Sequence, residues 1–307
     1  MPTVYRSTDT DAPVLTGIAG SLIAVLDACL VNGYTGKAAA GWTKAFSGTN
    51  KAAYKNNLAD GGSECLVRVV DDGTDDARVA SFSAFATMSD IDTGTFETKT
   101  LYAYKSATNN SAARPWILVA DGLTFHFYIP ENGVGNLTET TFISAGDYEC
   151  LADPENALRY CVIGSTDTSS GPNKRYASIY GPNSGSHSGI SCPHLDGIKN
   201  PQDEWARQDH SIFTPSDTGF TTGNCGSSQS PPLLNGSLVF GDLRIGWGTT
   251  LFGRVRGLRK PASRLDNSQT PGEFITGTTM IYTQVAANGQ TVTGNIGALP
   301  IETVGPW

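Results

Sequence analysis

Residues 114–130, RPWILVADGLTFHFYIP, restrict the fold of this chain more than any other segment. Two runs rich in aliphatic and aromatic residues, Trp116 to Val119 and Leu123 to Ile129, lie on either side of Asp121-Gly122. An Asp-Gly pair between two such runs favours the tight turn of a β-hairpin, because the turn requires positive φ angles. The segment therefore predicts two antiparallel strands.

Further segments show the pattern of short strands bounded by turns. They are residues 65–72, 237–247, 251–261 and 276–285, with 148–151 and 158–163 as a further pair, while residues 77–89 are predicted to form a strand or a short helix. The chain has 35 glycines and 16 prolines but only 16% charged residues, a composition typical of all-β proteins. The predicted fold class is mainly β, with an antiparallel sandwich or a barrel-like body.

One helix is predicted near the start of the chain. Apolar residues recur at helical spacing between Leu15 and Asn32. Thr16 is expected to cap the start of this helix, and Asn32-Gly33 is expected to end it. Several faces of the helix are apolar, so we expect it to be buried in the core or against a partner subunit.

The domain organisation follows from a change of composition at Ser165. Residues 1–164 are predicted to hold the helix and most of the β body. Residues 165–235 are crowded with Ser, Gly, Pro, Asn and Asp and are predicted to form a long loop excursion. Residues 236–307 are predicted to supply strands that complete the body.

Charge and hydropathy argue against two classes of partner. The net charge is −8, and the densest basic cluster is a local patch of Arg254, Arg256, Arg259 and Lys260, with Arg264 nearby. No nucleic-acid binding is predicted, because that would need a clustered basic face. The apolar run 18–31 is shorter than the roughly 20 residues of a membrane span, so no membrane partner is predicted. The start also lacks the basic region of a secretory signal.

Cysteine and histidine residues give the candidates for a metal site. Cys192, His194 and His210 lie in a segment with little apolar sequence, where a metal could hold loops together. Their spacing matches no standard zinc pattern, so scattered loop residues are the alternative and no metal or cofactor is predicted. Cys150 and Cys161 could face each other across a hairpin, as a disulfide or as two reduced thiols.

The other polar groups point to no reaction. Asp71, Asp72, Asp75 and Asp76 lack the order of a calcium loop and are expected to form a solvated hairpin tip. His126 is expected to be a strand residue, since no G-x-S-x-G motif is present to place a nucleophile. No catalytic residue is predicted, and a secreted hydrolase is the least favoured hypothesis.

Aromatic residues are the predicted contact surface. Trp42, Phe46 and Tyr54 lie among small and basic residues in GWTKAFSGTNKAAYK, residues 41–55. Trp205 in the loop excursion and Trp307 at the end are further interface candidates, because exposed aromatic rings anchor protein interfaces or stack on sugars. Core packing is the alternative for each of them.

Several blocks together carry a resemblance to a known family. They are MPTVYRSTDTDAPVLTG, the helix ending LVNGY, GWTKAFSGTNKAAYK, RVVDDG, AFATMSDIDTG, RPWILVADGLTFHFYI, FGDLRIGW and the final Trp. Over about half of the chain, mostly residues 1–165, the sequence resembles an uncharacterised family of tailed-bacteriophage virion proteins. The resemblance implies a structural component of the virion, assembled in the bacterial cytoplasm, and carries no enzymatic role.

The functional expectation is therefore assembly in many copies, with the tail or head–tail region favoured over the capsid shell. The expected partners are other copies of this chain and other virion proteins of the tail, connector or capsid. Capsid decoration is one alternative. A receptor- or glycan-binding tail module, which would use Trp205 and the surrounding loops on a host surface glycan, is another.

Overall fold

The computed structural model describes residues 1–74, 76–130, 141–164, 190–193, 240–247, 250–261, 270, 272–286, 296–298 and 300–307. The helical elements in these ranges are α1, Ser21–Leu26, a π-helical turn, Asp27–Asn32, and a 3-10 turn, Leu58–Asp60. The first ten strands are β1 Thr3–Arg6, β2 Thr43–Gly48, β3 Lys51–Lys55, β4 Leu66–Val70, β5 Val79–Phe85, β6 Thr87–Asp90, β7 Thr93–Thr95, β8 Leu101–Tyr104, β9 Ile117–Ala120 and β10 Thr124–Ile129. The remaining strands are β11 Thr141–Asp147, β12 Glu149–Cys150, β13 Tyr160–Ile163, β14 Ile190–Ser191, β15 Phe240–Trp247, β16 Thr250–Pro261, β17 Met280–Ile281, β18 Gln284–Ala286, β19 Ile296–Ala298 and β20 Ile301–Glu302.

A six-stranded antiparallel sheet lies at the centre of the fold. Its strand order is β1-β9-β10-β11-β13-β14, and every residue of β9, β10, β11 and β13 is buried. Side chains alternate between the two faces of a strand. In β10, Phe125 and Phe127 accordingly belong to one apolar core, whereas Tyr128 belongs to a second core on the opposite face.

Two further sheets cover the central sheet. The sheet β2-β3-β4-β5-β8 and the helical segment supply the other half of the first core. The sheet β12-β16-β20-β17, with β15 paired to β16, supplies the other half of the second core. The predicted mainly-β sandwich is confirmed, with three layers around two cores. The described strands form open sheets, so the barrel-like alternative is wrong for this part of the chain.

The hairpin predicted at residues 114–130 is confirmed. β9 and β10 pair with Phe125 opposite Ala120 and Tyr128 opposite Ile117. Asp121 stabilises the turn, because its Oδ1 accepts hydrogen bonds from the N–H groups of Leu123 and Thr124, each at 2.9 Å.

The predicted N-terminal helix is confirmed over a shorter range. α1 and the π-helical turn together cover residues 21–32, whereas the apolar spacing predicted 15–32. Gly33 has a φ of 72°, so it ends the helix as predicted. The segment fills the first core with its buried side chains, Leu22, Ile23, Val25, Leu26, Cys29 and Leu30.

Asp71, and not Thr16, caps the start of α1. The Thr16 hydroxyl accepts a hydrogen bond from the N–H of Ile18 at 3.2 Å, in a turn that precedes the helix. Asp71 Oδ2 accepts from the N–H of Leu22 at 2.9 Å, and its backbone carbonyl accepts from the N–H of Gly20 at 2.8 Å. The carboxylate thus satisfies an amide that the first helical turn leaves without a partner.

The prediction of a solvated hairpin tip is wrong for Asp71. Its side chain and that of Lys105 have no exposed surface, and the two form an ion pair. Lys105 Nζ also donates a hydrogen bond to the carbonyl of Ile18 at 2.9 Å. Burial is the largest influence on both groups, so it raises the pKa of Asp71 and lowers the pKa of Lys105, against their mutual attraction.

The predicted pairing of residues 148–151 with 158–163 is also wrong. β12 pairs with β16, placing Cys150 opposite Gly253, whereas β13 pairs with β11. Cys150 and Cys161 are buried free thiols, so the disulfide alternative is not formed. Pairing partners more than 100 residues away in the sequence decide the position of β12.

Most of the predicted loop excursion, 165–235, lies outside the described residues. The exception is a short piece at 190–193, where β14 extends the central sheet beside β13. Across the ranges that the structure covers, no helix is both long and apolar enough to cross a bilayer.

Replacement of Lys105 tests the buried ion pair. Lys105→Met should lower the free energy of unfolding by about 3–5 kcal/mol, because it leaves the Asp71 carboxylate buried without its counter-charge. The matched control is Lys51→Met, which removes the ion pair with the exposed Asp92 and should cost less than about 1 kcal/mol. Urea denaturation measures both changes, and equal losses would contradict this account.

Candidate functional site

His126 is the histidine that the structure describes, and it lies in the second core. The side chain has no exposed surface. Its Nδ1 lies 2.9 Å from Ser144 Oγ, and its Nε2 lies 2.9 Å from the backbone carbonyl of Arg256. A carbonyl can only accept, so Nε2 carries the proton and Nδ1 accepts from the Ser144 hydroxyl. The neutral ring is therefore held in one tautomer by two partners.

The environment of His126 opposes acid–base chemistry. Desolvation is the largest cause and lowers its pKa from the ordinary 6.5 to about 3, against the hydrogen bond to the Arg256 carbonyl and the charge of Asp121, which both raise it. A serine next to a neutral imidazole is the arrangement that activates a nucleophile in some enzymes. Here Ser144 is as fully buried as His126, and the imidazolium that a general base must become is disfavoured. The pair joins β10 to β11 and to β16.

Trp307 packs on this histidine. The ring centroids of Trp307 and His126 lie 4.8 Å apart, and Trp307 Nε1 donates a hydrogen bond to the carbonyl of Glu302 at 2.9 Å. Gly257, with a φ of 67°, allows this contact, since an added Cβ would lie 2.5 Å from the Trp307 ring. Trp307 is only 8% exposed, so most of its surface is used within the chain.

Asp121 links the central hairpin to both covering layers. Its Oδ2 accepts a hydrogen bond from Arg256 Nη2 at 2.7 Å, on the side of the second core. Its backbone carbonyl accepts from Trp42 Nε1 at 2.8 Å, on the side of the first core. One turn residue thus connects the predicted aromatic block with the basic cluster.

Asp147 is a second buried carboxylate with a structural partner. Its two oxygens accept hydrogen bonds from the N–H of Ser63 at 2.8 Å and from the Ser63 hydroxyl at 2.6 Å. Arg159 lies 3.7 Å away. Desolvation is the largest cause acting on Asp147 and raises its pKa. The contacts fix the segment before β4 against the end of β11.

The aromatic block of residues 41–55 turns its large side chains inward. Trp42 is 2% exposed and packs edge-on against Phe125, with 5.6 Å between the ring centroids. Tyr54 is fully buried, and its hydroxyl donates to Asp27 Oδ1 at 2.8 Å. Phe46 is half-buried. Trp42, Tyr54 and Trp307 therefore build the cores, and the interface role predicted for these residues stays a prediction.

The block also produces an exposed surface, which we name the hairpin face and define as β2 together with β6 and β7. All residues of these three strands are exposed except Phe46 and Met88, which are half-buried. An ion pair of 3.2 Å between Lys51 and Asp92 ties the two hairpins together. Small and hydroxyl side chains dominate the face, so it offers backbone and Thr or Ser groups for contact.

Of the three metal candidates, Cys192 is the one with a described position. Cys192 is fully buried in the second core, and burial raises its pKa to about 12. His194, His210 and the glycan candidate Trp205 lie outside the described residues. Among the residues with a described position, no three His, Cys, Asp or Glu side chains form a group that could hold a metal ion.

Comparison with known proteins adds no relative. No protein-family model matches this sequence. No curated protein matches it significantly either.

His126 predicts a specific loss of stability in acid. Its pKa is lowered in the folded state, so its contribution is complete above pH 6.5 and is lost as the pH falls toward about 3. His126→Gln keeps a donor for the Arg256 carbonyl and removes the titration. The free energy of unfolding of the natural chain should fall more steeply with decreasing pH than that of the variant, by up to about 1.4 kcal/mol per pH unit. Parallel curves from denaturant titrations at several pH values would contradict the burial of a neutral His126.

A substitution of Trp307 tests whether its ring packs in the second core or is free to contact a partner. Trp307→Ala should lower the free energy of unfolding by about 3 kcal/mol, because the ring fills the second core beside His126. The control is Val304→Ala in the same segment, where a 46% exposed side chain should matter by less than about 0.5 kcal/mol. If Trp307→Ala leaves stability unchanged in thermal and denaturant unfolding, the ring is not a core residue in solution.

Proposed function

We propose that this chain is a structural protein of a tailed-bacteriophage virion and acts by assembly in many copies. The tail or the head–tail region is the proposed location. The proposed partners are further copies of the chain and neighbouring virion proteins.

The hairpin face is the observation that carries this proposal. Two-stranded hairpins are marginal on their own, and most natural sheets protect or cover exposed strands. In this chain β2, β6 and β7 expose almost all of their residues to solvent, while Lys44–Asp27 at 2.8 Å links β2 to the helical segment and Lys51–Asp92 links the turn ends of the two hairpins to each other. A surface held in place and left uncovered suits repeated docking of protein on protein.

The use of the polar side chains supports the same proposal. His126, Asp147 and Asp71 each bind partners within the chain and hold layers or segments together. These groups are the ones that hydrolytic chemistry would draw on, and each is buried. The resemblance of residues 1–165 to virion proteins adds independent support from the sequence.

Localisation in intact particles tests the proposal. Particles of the virus that encodes this chain should contain it in many copies by quantitative mass spectrometry, and cryo-electron microscopy should place the three-layer sandwich in the tail or head–tail region. Density on the outer capsid shell would favour the decoration alternative. Absence of the chain from purified particles would refute the proposed function.

A further inference from the structure

Two of the described edge strands, β1 and β2, differ in how their outward backbone groups are bonded. In the central sheet, β1 is an edge strand that pairs with β9. Lys37 Nζ donates a hydrogen bond to the carbonyl of Val4 at 2.7 Å, and Asp9 Oδ2 accepts from the N–H of Arg6 at 2.8 Å. Side chains therefore cap the outward backbone groups of β1, which closes this edge to another strand.

The edge at β2 has no such caps among the residues that the structure describes. β2 is the end strand of the sheet β2-β3-β4-β5-β8; its side chains are exposed except that of the half-buried Phe46, and its pairing with β3 is interrupted by a β-bulge between Lys44 and Phe46. At the far end of the sheet, by contrast, β8 is largely buried. The described hydrogen bonds include none from another segment to the outer side of β2.

The pairing pattern identifies which backbone groups face outward. The carbonyl of Asn50 accepts a hydrogen bond from the N–H of Asp71 at 2.9 Å, so this position bonds toward β4. Bonding direction alternates along an antiparallel strand, so Ala52 also bonds toward β4. Ser47, which lies opposite Ala52, then directs its N–H and C=O away from β3. The N–H and C=O of Ser47 thus face outward near the turn end of β2, in the regular stretch 46–48 that follows the β-bulge between Lys44 and Phe46.

Charge repulsion does not keep a second copy of this chain away from the β2 edge. Each lysine of the β2–β3 hairpin is paired with a carboxylate, as Lys44–Asp27 at 2.8 Å, Lys51–Asp92 at 3.2 Å and Lys55–Glu64 at 2.8 Å. The one charged side chain of β2, Lys44, is therefore neutralised within its own chain. Two copies of this edge can approach each other without opposing unpaired like charges.

We propose that β2 pairs antiparallel with β2 of a second copy of this chain, which joins two five-stranded sheets into one across a two-fold axis. An antiparallel pair of identical strands is self-complementary, because each outward N–H meets an outward C=O of the partner. The buried neighbours Ala52, Ala53 and Tyr54 hold the hairpin in its bound shape in advance. The inference deepens the proposed function, since it names the contact through which copies join.

Two variants at one position test the edge pairing in the full chain. Ser47→Pro removes the outward N–H and should weaken self-association by about tenfold or more, because a symmetric dimer carries the change twice. Ser47→Ala keeps the N–H and should stay within about twofold of the natural chain. Sedimentation velocity over a wide range of concentration measures association, and circular dichroism checks that each variant is folded.

A third variant serves in case Ser47→Pro does not fold. Ser47→Asp keeps the N–H but puts two like charges within about 10 Å at the two-fold axis, so it should weaken association at low salt and recover at high salt. A natural chain that stays monomeric at every concentration would overturn the inference. So would association that Ser47→Pro and Ser47→Asp leave unchanged.

The outcomes also separate this inference from the proposed function. A chain present in virions in many copies, but insensitive to both variants, would refute only the pairing through β2. A chain that associates through β2 but is absent from virions would refute only the virion role.

Discussion

The burial of the central sheet on both faces is the constraint on which the rest of this structure depends. A sheet in that position can hold a polar side chain only if the fold supplies a partner for it, because an unpaired polar group away from water costs several kcal/mol. His126 on β10 meets this condition through Ser144 on the neighbouring strand and the carbonyl of Arg256 in the covering sheet. The second core is thus fixed in place by hydrogen bonds as well as by packing. The Trp307 ring then covers the histidine from the same side.

The same principle explains how the first core is joined to the helix. A short helix that begins inside the protein needs a partner for its first amides, and Asp71 provides it from the end of β4. The carboxylate in turn needs a counter-charge, which Lys105 supplies from the position directly after β8. Helix, sheet and loop are therefore linked by one buried charge pair. Its value lies in specifying this arrangement, since a buried ion pair adds little net stability over apolar packing.

How much of this could be predicted from the sequence depended on the range of each interaction. The β9–β10 hairpin was predictable because Asp121-Gly122 determines its own turn, and the helix end was predictable from Gly33. The role of Asp71 was not predictable, because its partner Lys105 lies 34 positions away in the sequence. The one local signal was a lysine directly after the apolar run LYAY. For the aromatic residues, the sequence showed the kind of side chain but not whether it points into the core or toward solvent. Nothing local in the sequence distinguishes a Trp42 that packs inward from one that anchors a partner.

Within the described residues, the edge strands β1 and β2 differ in the bonding of their outward backbone groups. The central sheet is covered, the β1 edge is capped by Lys37 and Asp9, and β2 offers uncapped backbone in the described part of the chain. The described residues thus form a doubly covered frame in which Ser47 of β2 directs its backbone N–H away from the sheet. Amide hydrogen exchange on the dilute, monomeric protein tests it most directly. The account predicts that amides of β10 exchange only through global unfolding, while the Ser47 amide exchanges at nearly the rate of an unstructured peptide. Protection of Ser47 comparable to that of β10 in the monomer would contradict it.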